Sequence, residues 1–208
     1  ALDPRGFKVF HIEGASTLER LYPPMHRFWK LLPAHGAIAI YNHSWYRQVV
    51  NEPLDEETPC DQLSAAYDRI RGFERQLTDD GAVIVKFFLH ISKKEQAKRF
   101  KKLSGDPAFS WKVGPAEKKR HEQYDSCAAL IEDMLRETST ANAPWTLVAA
   151  TDNQFRSVQV AETVVSALEQ ALSRPQQIVT PPATPPRRIG VLDNVDLSLT
   201  VDKKTYKD

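Results

Sequence analysis

The sequence contains no Gly-x-x-x-x-Gly-Lys-[Ser/Thr] run, the loop that cradles phosphates with backbone N–H groups and a lysine. It has no apolar run approaching the ~18 residues of a membrane-spanning helix, so no membrane span is expected. A basic segment followed by an apolar stretch, the mark of a signal peptide, is missing from the N-terminus. Cysteine is reduced to Cys60 and Cys127, with no metal-site or disulfide-framework spacing. Two unpatterned thiols suit a reducing cytoplasm, which is the expected location. His11, His26, His35 and His90 show no metal-ligand spacing and are read as packing or surface residues. No internal repeat is found.

What is present is enough for a globular domain. The 208 residues are 41% hydrophobic, a length and composition that support one core plus a tail without disulfides or metals. Ala1 at the start fits either a fragment or removal of an initiator Met. The net charge of +1 says little, but its distribution is uneven. Lys93, Lys94, Lys98, Arg99, Lys101 and Lys102 crowd one segment, and Lys112, Lys118, Lys119 and Arg120 the next. Acidic residues collect at Glu52, Asp55, Glu56 and Glu57. Clustered cations point to a polyanionic partner, with a solvated helix face as the competing explanation.

Strands and helices alternate. Residues 8–12 read as a strand, followed by a helix that Ser16 or Thr17 can cap, with Glu19 in its first turn. Pro23 and Pro24 break it, a second helical piece covers residues 25–32, and Pro33 ends that one. Residues 37–41 are short, unbroken and apolar, the pattern of a strand buried on both faces. Residues 61–80 form a helix whose stripe Leu63, Ala66, Ile70, Phe73 and Leu77 is buried. Asp61 stands at its N-cap and Gly81 at its stop. Residues 82–91 are the strongest strand, and Ser92 with Glu95 makes a capping box for the next helix. Residues 145–149 are another buried strand. A closing helix follows with Phe155, Val158, Val165, Leu168 and Leu172 on one face. This order predicts an α/β domain on a parallel sheet, with its site at the carboxyl ends of the strands, just after Tyr41, Ile91 and Ala149. Residues 173–188 are a Pro-rich linker, and residues 189–208 turn apolar and patterned again.

One segment stands out: Asn42-His43-Ser44-Trp45-Tyr46, at a strand's carboxyl end. Around it lie Leu2-Asp3-Pro4-Arg5-Gly6, Arg27-Phe28-Trp29 with Leu32-Pro33 and Gly36, Phe73-Glu74, and Lys86-Phe87-Phe88-Leu89-His90-Ile91-Ser92 with Glu95-Gln96 and Arg99-Phe100. Further on come Asp106-Pro107, Trp111-Lys112-Val113, Thr138-Ser139-Thr140 and Ala143-Pro144-Trp145-Thr146-Leu147-Val148. In these the chain resembles the polyphosphate kinase 2 family, and within it the polyphosphate:AMP phosphotransferases, over residues 2–172.

The resemblance implies a P-loop kinase-like parallel sheet flanked by helices, with a helical lid at about residues 104–136. The P-loop strand and helix are expected to precede this chain. It implies phosphoryl transfer between inorganic polyphosphate and a nucleotide, AMP or ADP, with Mg²⁺ as cofactor. Neither nucleic acid nor membrane is an expected partner. Asn42 and His43 fall on the strand-end motif, where the family usually has Asp-Arg, and Asn42 is the position expected at the metal. Arg47, Lys86, Lys112, Lys119 and Arg120 are the expected phosphate-binding cations. Glu117 and His121 fall on lid positions, His121 where an Arg is usual, and Cys127 where a Tyr is usual. Gln48 stands where many relatives have an Arg. Neutral Asn42 and a titratable His43 in place of fixed charges give a second reading: a catalytically degenerate module that still holds polyphosphate and supports an active twin. Residues 189–208 resemble the start of such a following module, and oligomerisation is expected by family.

Overall fold

The computed structural model describes residues 3–50, 60–173 and 198–200. The chain divides into residues 1–173 and 174–208. The linker at 173–188 and the onset of a following module at 189–208 therefore lie almost wholly outside the described residues, as does the acidic group at Glu52, Asp55, Glu56 and Glu57.

Within the first unit, strands β1 (Phe7–His11) and β2 (Ile38–Asn42) pair in parallel, with Phe7 opposite Ile38 and His11 opposite Asn42. Strands β3 (Lys86–His90) and β4 (Trp145–Ala149) pair in parallel, with Lys86 opposite Trp145 and His90 opposite Ala149. Each pair is its own two-stranded sheet among the described residues. Parallel neighbours need long crossovers rather than hairpin turns, and the helices supply them. These are α1 (His26–Trp29), α2 (Arg47–Val50), α3 (Cys60–Asp79), α4 (Lys93–Ser104), α5 (Pro115–Glu122), α6 (Tyr124–Thr138) and α7 (Asn153–Ser173).

The local signals act as their chemistry dictates, with revisions. Ser16 and Glu19 exchange hydrogen bonds, Glu19 N–H to Ser16 Oγ at 3.2 Å and Ser16 N–H to Glu19 Oε2 at 2.8 Å. The box caps only a single 3-10 turn, Glu19–Leu21. Ser92 caps α4 by accepting the Glu95 N–H, but the Glu95 carboxylate does not complete the expected box; it accepts from Arg99 Nε at 2.9 Å. Gly81, with φ 91°, ends α3. Its N–H reaches Thr78 O and the Ala82 N–H reaches Leu77 O, the paired bonds of a left-handed helix stop.

The core lies on one side of the sheets, where α1, α2, α3 and α6 meet. Ile12, Phe28, Trp45, Tyr46, Val49, Ala66, Ile70, Phe73 and Met134 are buried in one cluster. The stripe read on residues 61–80 is therefore in place. Two expectations of burial fail. Ile38 and Ile40 are exposed, so β2 is covered on one face only, by the contacts of Ala39 and Tyr41. The expected stripe of α7 is exposed too, Phe155 at 55% and Leu172 at 86%. The less exposed side of α7 runs instead through Arg156, Val160, Val164 and Ala167. Both helix faces are apolar, so periodicity could not choose between them, and a two-stranded sheet covers only one.

Candidate functional site

Of the three strand ends where a site was expected, two are closed by the chain itself. Tyr124 Oη donates to Ile91 O at 2.8 Å, sealing the end of β3. Arg99 Nη2 donates to Ala150 O and Thr151 O at 2.8 and 3.0 Å, sealing the end of β4. Arg99, expected within a phosphate-attracting cluster, is thus a staple inside the fold. Other members of that cluster are also engaged: Lys93 pairs with Asp125 and Lys98 with Glu95.

The third end, after β2, carries the site. The parallel register sets His11 beside Asn42, and the Asn42 amide lies 3.1 Å from His11 Nδ1. An amide N–H can be given to Nδ1 only while that nitrogen is unprotonated, so this bond selects the His11 tautomer with its proton on Nε2. The chain then turns through His43 and Ser44, both in the left-handed region with φ 70° and 34°. For residues other than glycine this conformation costs roughly 1–2 kcal/mol each. The turn directs His43 back against His11, their rings 5.7 Å apart and edge to face, and starts α2 with Arg47.

Cations converge on this turn. Burial, then the charges of Arg47, His11 and Arg120, pull the His43 imidazole below its ordinary value. Arg120 arrives from α5, so a helix of the expected lid region places its charge within reach of the strand end. The Nε atoms of Arg47 and Arg120, and Nε2 of the neighbouring Gln48, are buried with no hydrogen-bond partner among the described residues. Buried donors without acceptors are costly, and no carboxylate is among the groups acting on His43. Such a cradle is built for an anion with many acceptor oxygens.

Mg²⁺ does not fit here. The Asn42 amide carries no charge and is engaged with His11, the surrounding groups are cationic, and no cluster of three or more His, Cys, Asp or Glu able to hold a metal occurs among the described residues. A hard divalent cation needs anionic oxygens, so Asn42 is not assigned as a metal ligand and no step is routed through the ion.

The remaining expected residues lie elsewhere. Lys86 is buried, and its ammonium donates to Glu74 Oε2, Tyr46 Oη and Thr138 O at 2.8, 2.9 and 2.8 Å. All three donors are taken, leaving none for a phosphate. Burial lowers its affinity for the proton, and Glu74 opposes that. Lys112 packs over the rings of Phe109 and Trp111, at 4.9 and 5.4 Å, on an exposed turn. Glu117 accepts the Gly114 N–H at 3.0 Å and so caps its own helix. His121 Nδ1 lies 2.6 Å from Gln96 Oε1 and its ring packs on Phe100, latching α5 to α4. Lys119 is exposed on α5. Cys127 contacts Arg120 O through sulfur, and burial pushes its thiol up. The structure therefore joins Asn42, His43, Arg47 and Arg120, and adds His11. The signal for His11 was available: two strands read as parallel neighbours, each ending in a polar side chain.

This geometry, a parallel α/β frame with a cationic strand end, is that of a phosphate-handling protein. The sequence profile of the Polyphosphate kinase 2 family matches residues 1–176, and the chain belongs to that family. It is 34% identical over 212 residues to the polyphosphate:AMP phosphotransferase of Pseudomonas aeruginosa, covering 100% of this chain and 43% of that protein. It is 34% identical over 178 residues to the AMP/ADP-polyphosphate phosphotransferase of Meiothermus ruber, covering 84% of this chain and 66% of that one. The crystal structure of Polyphosphate Kinase 2 from Arthrobacter aurescens TC1 superposes with a TM-score of 0.77 at 28% identity, covering 81% of this chain and 59% of that chain. The fold is accordingly the P-loop kinase-like α/β arrangement of parallel strands flanked by helices. The chain spans less than half the length of the Pseudomonas aeruginosa relative. No helix of the described residues is long and apolar enough to cross a membrane.

Proposed function

We propose that this chain is the polyphosphate-holding body of a phosphotransferase that moves phosphoryl groups between inorganic polyphosphate and a nucleotide, AMP or ADP. The observation that carries the reading is the meeting of Arg47 and Arg120, from different helices, at His43, with both guanidinium Nε atoms buried and unpartnered. Phosphoryl transfer needs little covalent chemistry from the protein; it needs positioned cations on the charged oxygens, and a single such cation is worth on the order of 10³ in rate. A bound run of phosphates would give these donors their acceptors. The choice of nucleotide rests on the relatives, two of which are named for AMP or AMP/ADP. A cytoplasmic setting fits two unpatterned cysteines.

Titration of the chain with long-chain polyphosphate at rising salt tests the binding. The affinity should fall steeply, because cations on phosphates release counterions; a flat response would remove the cradle from consideration. Conversion of AMP and polyphosphate to ADP, followed by coupled assay, tests the transfer. Binding without conversion would leave a polyphosphate-holding body without catalysis, the second reading of the sequence.

A further inference from the structure

The left-handed pair His43 and Ser44 has no glycine to relax it, so something beyond the turn must hold it. The two side chains that follow supply the hold. Trp45 Nε1 and Tyr46 Oη both donate to one oxygen, Glu74 Oε1, at 2.9 and 2.7 Å. The other oxygen, Oε2, accepts from Lys86 at 2.8 Å. Lys86 also donates to Tyr46 Oη and to Thr138 O, and Trp145 Nε1 donates to Thr138 Oγ1 at 3.0 Å. Glu74, Lys86, Trp45, Tyr46 and Thr138 are all buried.

Buried ion pairs contribute little to stability, since apolar residues of similar size often serve as well. What an apolar residue cannot do is fix two aromatic side chains by their N–H and O–H. We infer that Glu74 is a positioning residue for the anion cradle: by seating Trp45 and Tyr46 on one carboxylate oxygen, it sets the backbone of His43 and Ser44. Through that turn it sets the facing of His43 and Arg47. The consequence for polyphosphate rests on the proposed function; the consequence for the turn rests on geometry alone.

The test compares two double variants in the full chain, Glu74→Leu with Lys86→Met and Glu74→Gln with Lys86→Met. Both remove the ion pair, but only the Gln change keeps an acceptor for Trp45 and Tyr46. The readouts are the imidazole ¹H–¹⁵N signals of His43 and His11, polyphosphate affinity and the melting temperature. The Gln variant should keep the wild-type imidazole signals. The Leu variant should shift them and weaken polyphosphate binding by about tenfold or more, as small misplacements of a site do. Indistinguishable imidazole signals in the two would overturn the inference. Should the Leu variant not fold, Trp45→Phe removes one of the two bonds while retaining Glu74 and Lys86, and an unmoved His43 signal there overturns it equally. Absence of polyphosphate binding by the wild-type chain would defeat the cradle reading, while the imidazole comparison would still decide this one.

Discussion

Changing Arg120 to glutamine removes a charge while keeping a polar head on a side chain of similar reach. The magnitude follows from where the guanidinium sits. Opposite unit charges 4 Å apart attract by about 1 kcal/mol in bulk water and about 4 kcal/mol at the effective dielectric near a protein surface. Arg120 is half-buried with a sealed Nε, so it lies toward the second limit, less the cost of partly desolvating the phosphate. Arg120→Gln should weaken polyphosphate binding by roughly 10–100-fold at low salt. Lys101 and Lys102 are exposed, and Lys102→Gln should cost less than about threefold, the worth of a solvated pair. The salt response separates the two cases further. Loss of one phosphate-contacting cation lowers the slope of log affinity against log salt by about 0.7–0.9. Isothermal titration across a salt series with wild type, Arg120→Gln, Arg47→Gln and Lys102→Gln reads both quantities. Wild-type affinity and slope in Arg120→Gln, with binding abolished by neutralising Lys101 and Lys102, would refute the reasoning. The polyanion would then lie along the outer face of α4.

Three other outcomes follow from the geometry. His43 is held below its unfolded value of 6.5 by burial and neighbouring cations. As pH falls, the unfolded chain takes the proton first, so the stability this group contributes is full above pH 6.5 and is lost as pH drops through the folded value. Bound polyphosphate favours the imidazolium, so thermal melts should lose less stability on acidification with polyphosphate than without. His43→Gln should remove that difference, and equal pH dependence in both conditions would count against the cradle. Ile70→Ala in the core should cost about 2–5 kcal/mol; Val165→Ala on the exposed face of α7 should stay near 0.5 kcal/mol or less in denaturant titrations of the chain. Breaking the latch by His121→Ala should speed hydrogen exchange across residues 115–122 while leaving α3 protected, and unchanged exchange would show that the contact with Gln96 and Phe100 holds nothing.

The sequence made the frame legible because its strands and its α3 stripe carry period and length at once. It could not tell which face of α7 is covered, since Val160 and Val164 are as apolar as Val158 and Val165. The strand expected at 82–91 pairs only over Lys86–His90, because apolar composition marks burial but not the extent of a ladder. For the site, charge type was readable and charge commitment was not. Arg47 and Arg120 look no different in sequence from Arg99 or Lys86. Only the fold shows that Arg99 is spent on carbonyls, and Lys86 on Glu74, Tyr46 and Thr138. Glu74 was visible as part of a motif, but its purpose depends on Trp45 and Tyr46 meeting one oxygen across almost thirty residues of chain, a contact that no local pattern encodes.

The charge arrangement at the end of β2 also limits the order of events on the protein. His11, His43, Arg47 and Arg120 face one another without an acid between them, so the free site carries repulsion that partial burial strengthens. Arg120 comes from α5, while His43 and Arg47 belong to the strand end; repulsion therefore acts between two separate elements. An anion between them reverses the sign of that force, drawing α5 onto the strand end by the same charges that resist its approach beforehand. Closure in this arrangement depends on the ligand's negative charge rather than on its shape, which suits a polymer of repeating phosphates. The latch of His121 on Gln96 and Phe100 keeps α5 near while the cradle is empty. Loosening the latch should therefore weaken polyphosphate binding less at low salt, where the anion's attraction is strongest, than at high salt, where screening leaves preorganisation to do more of the work.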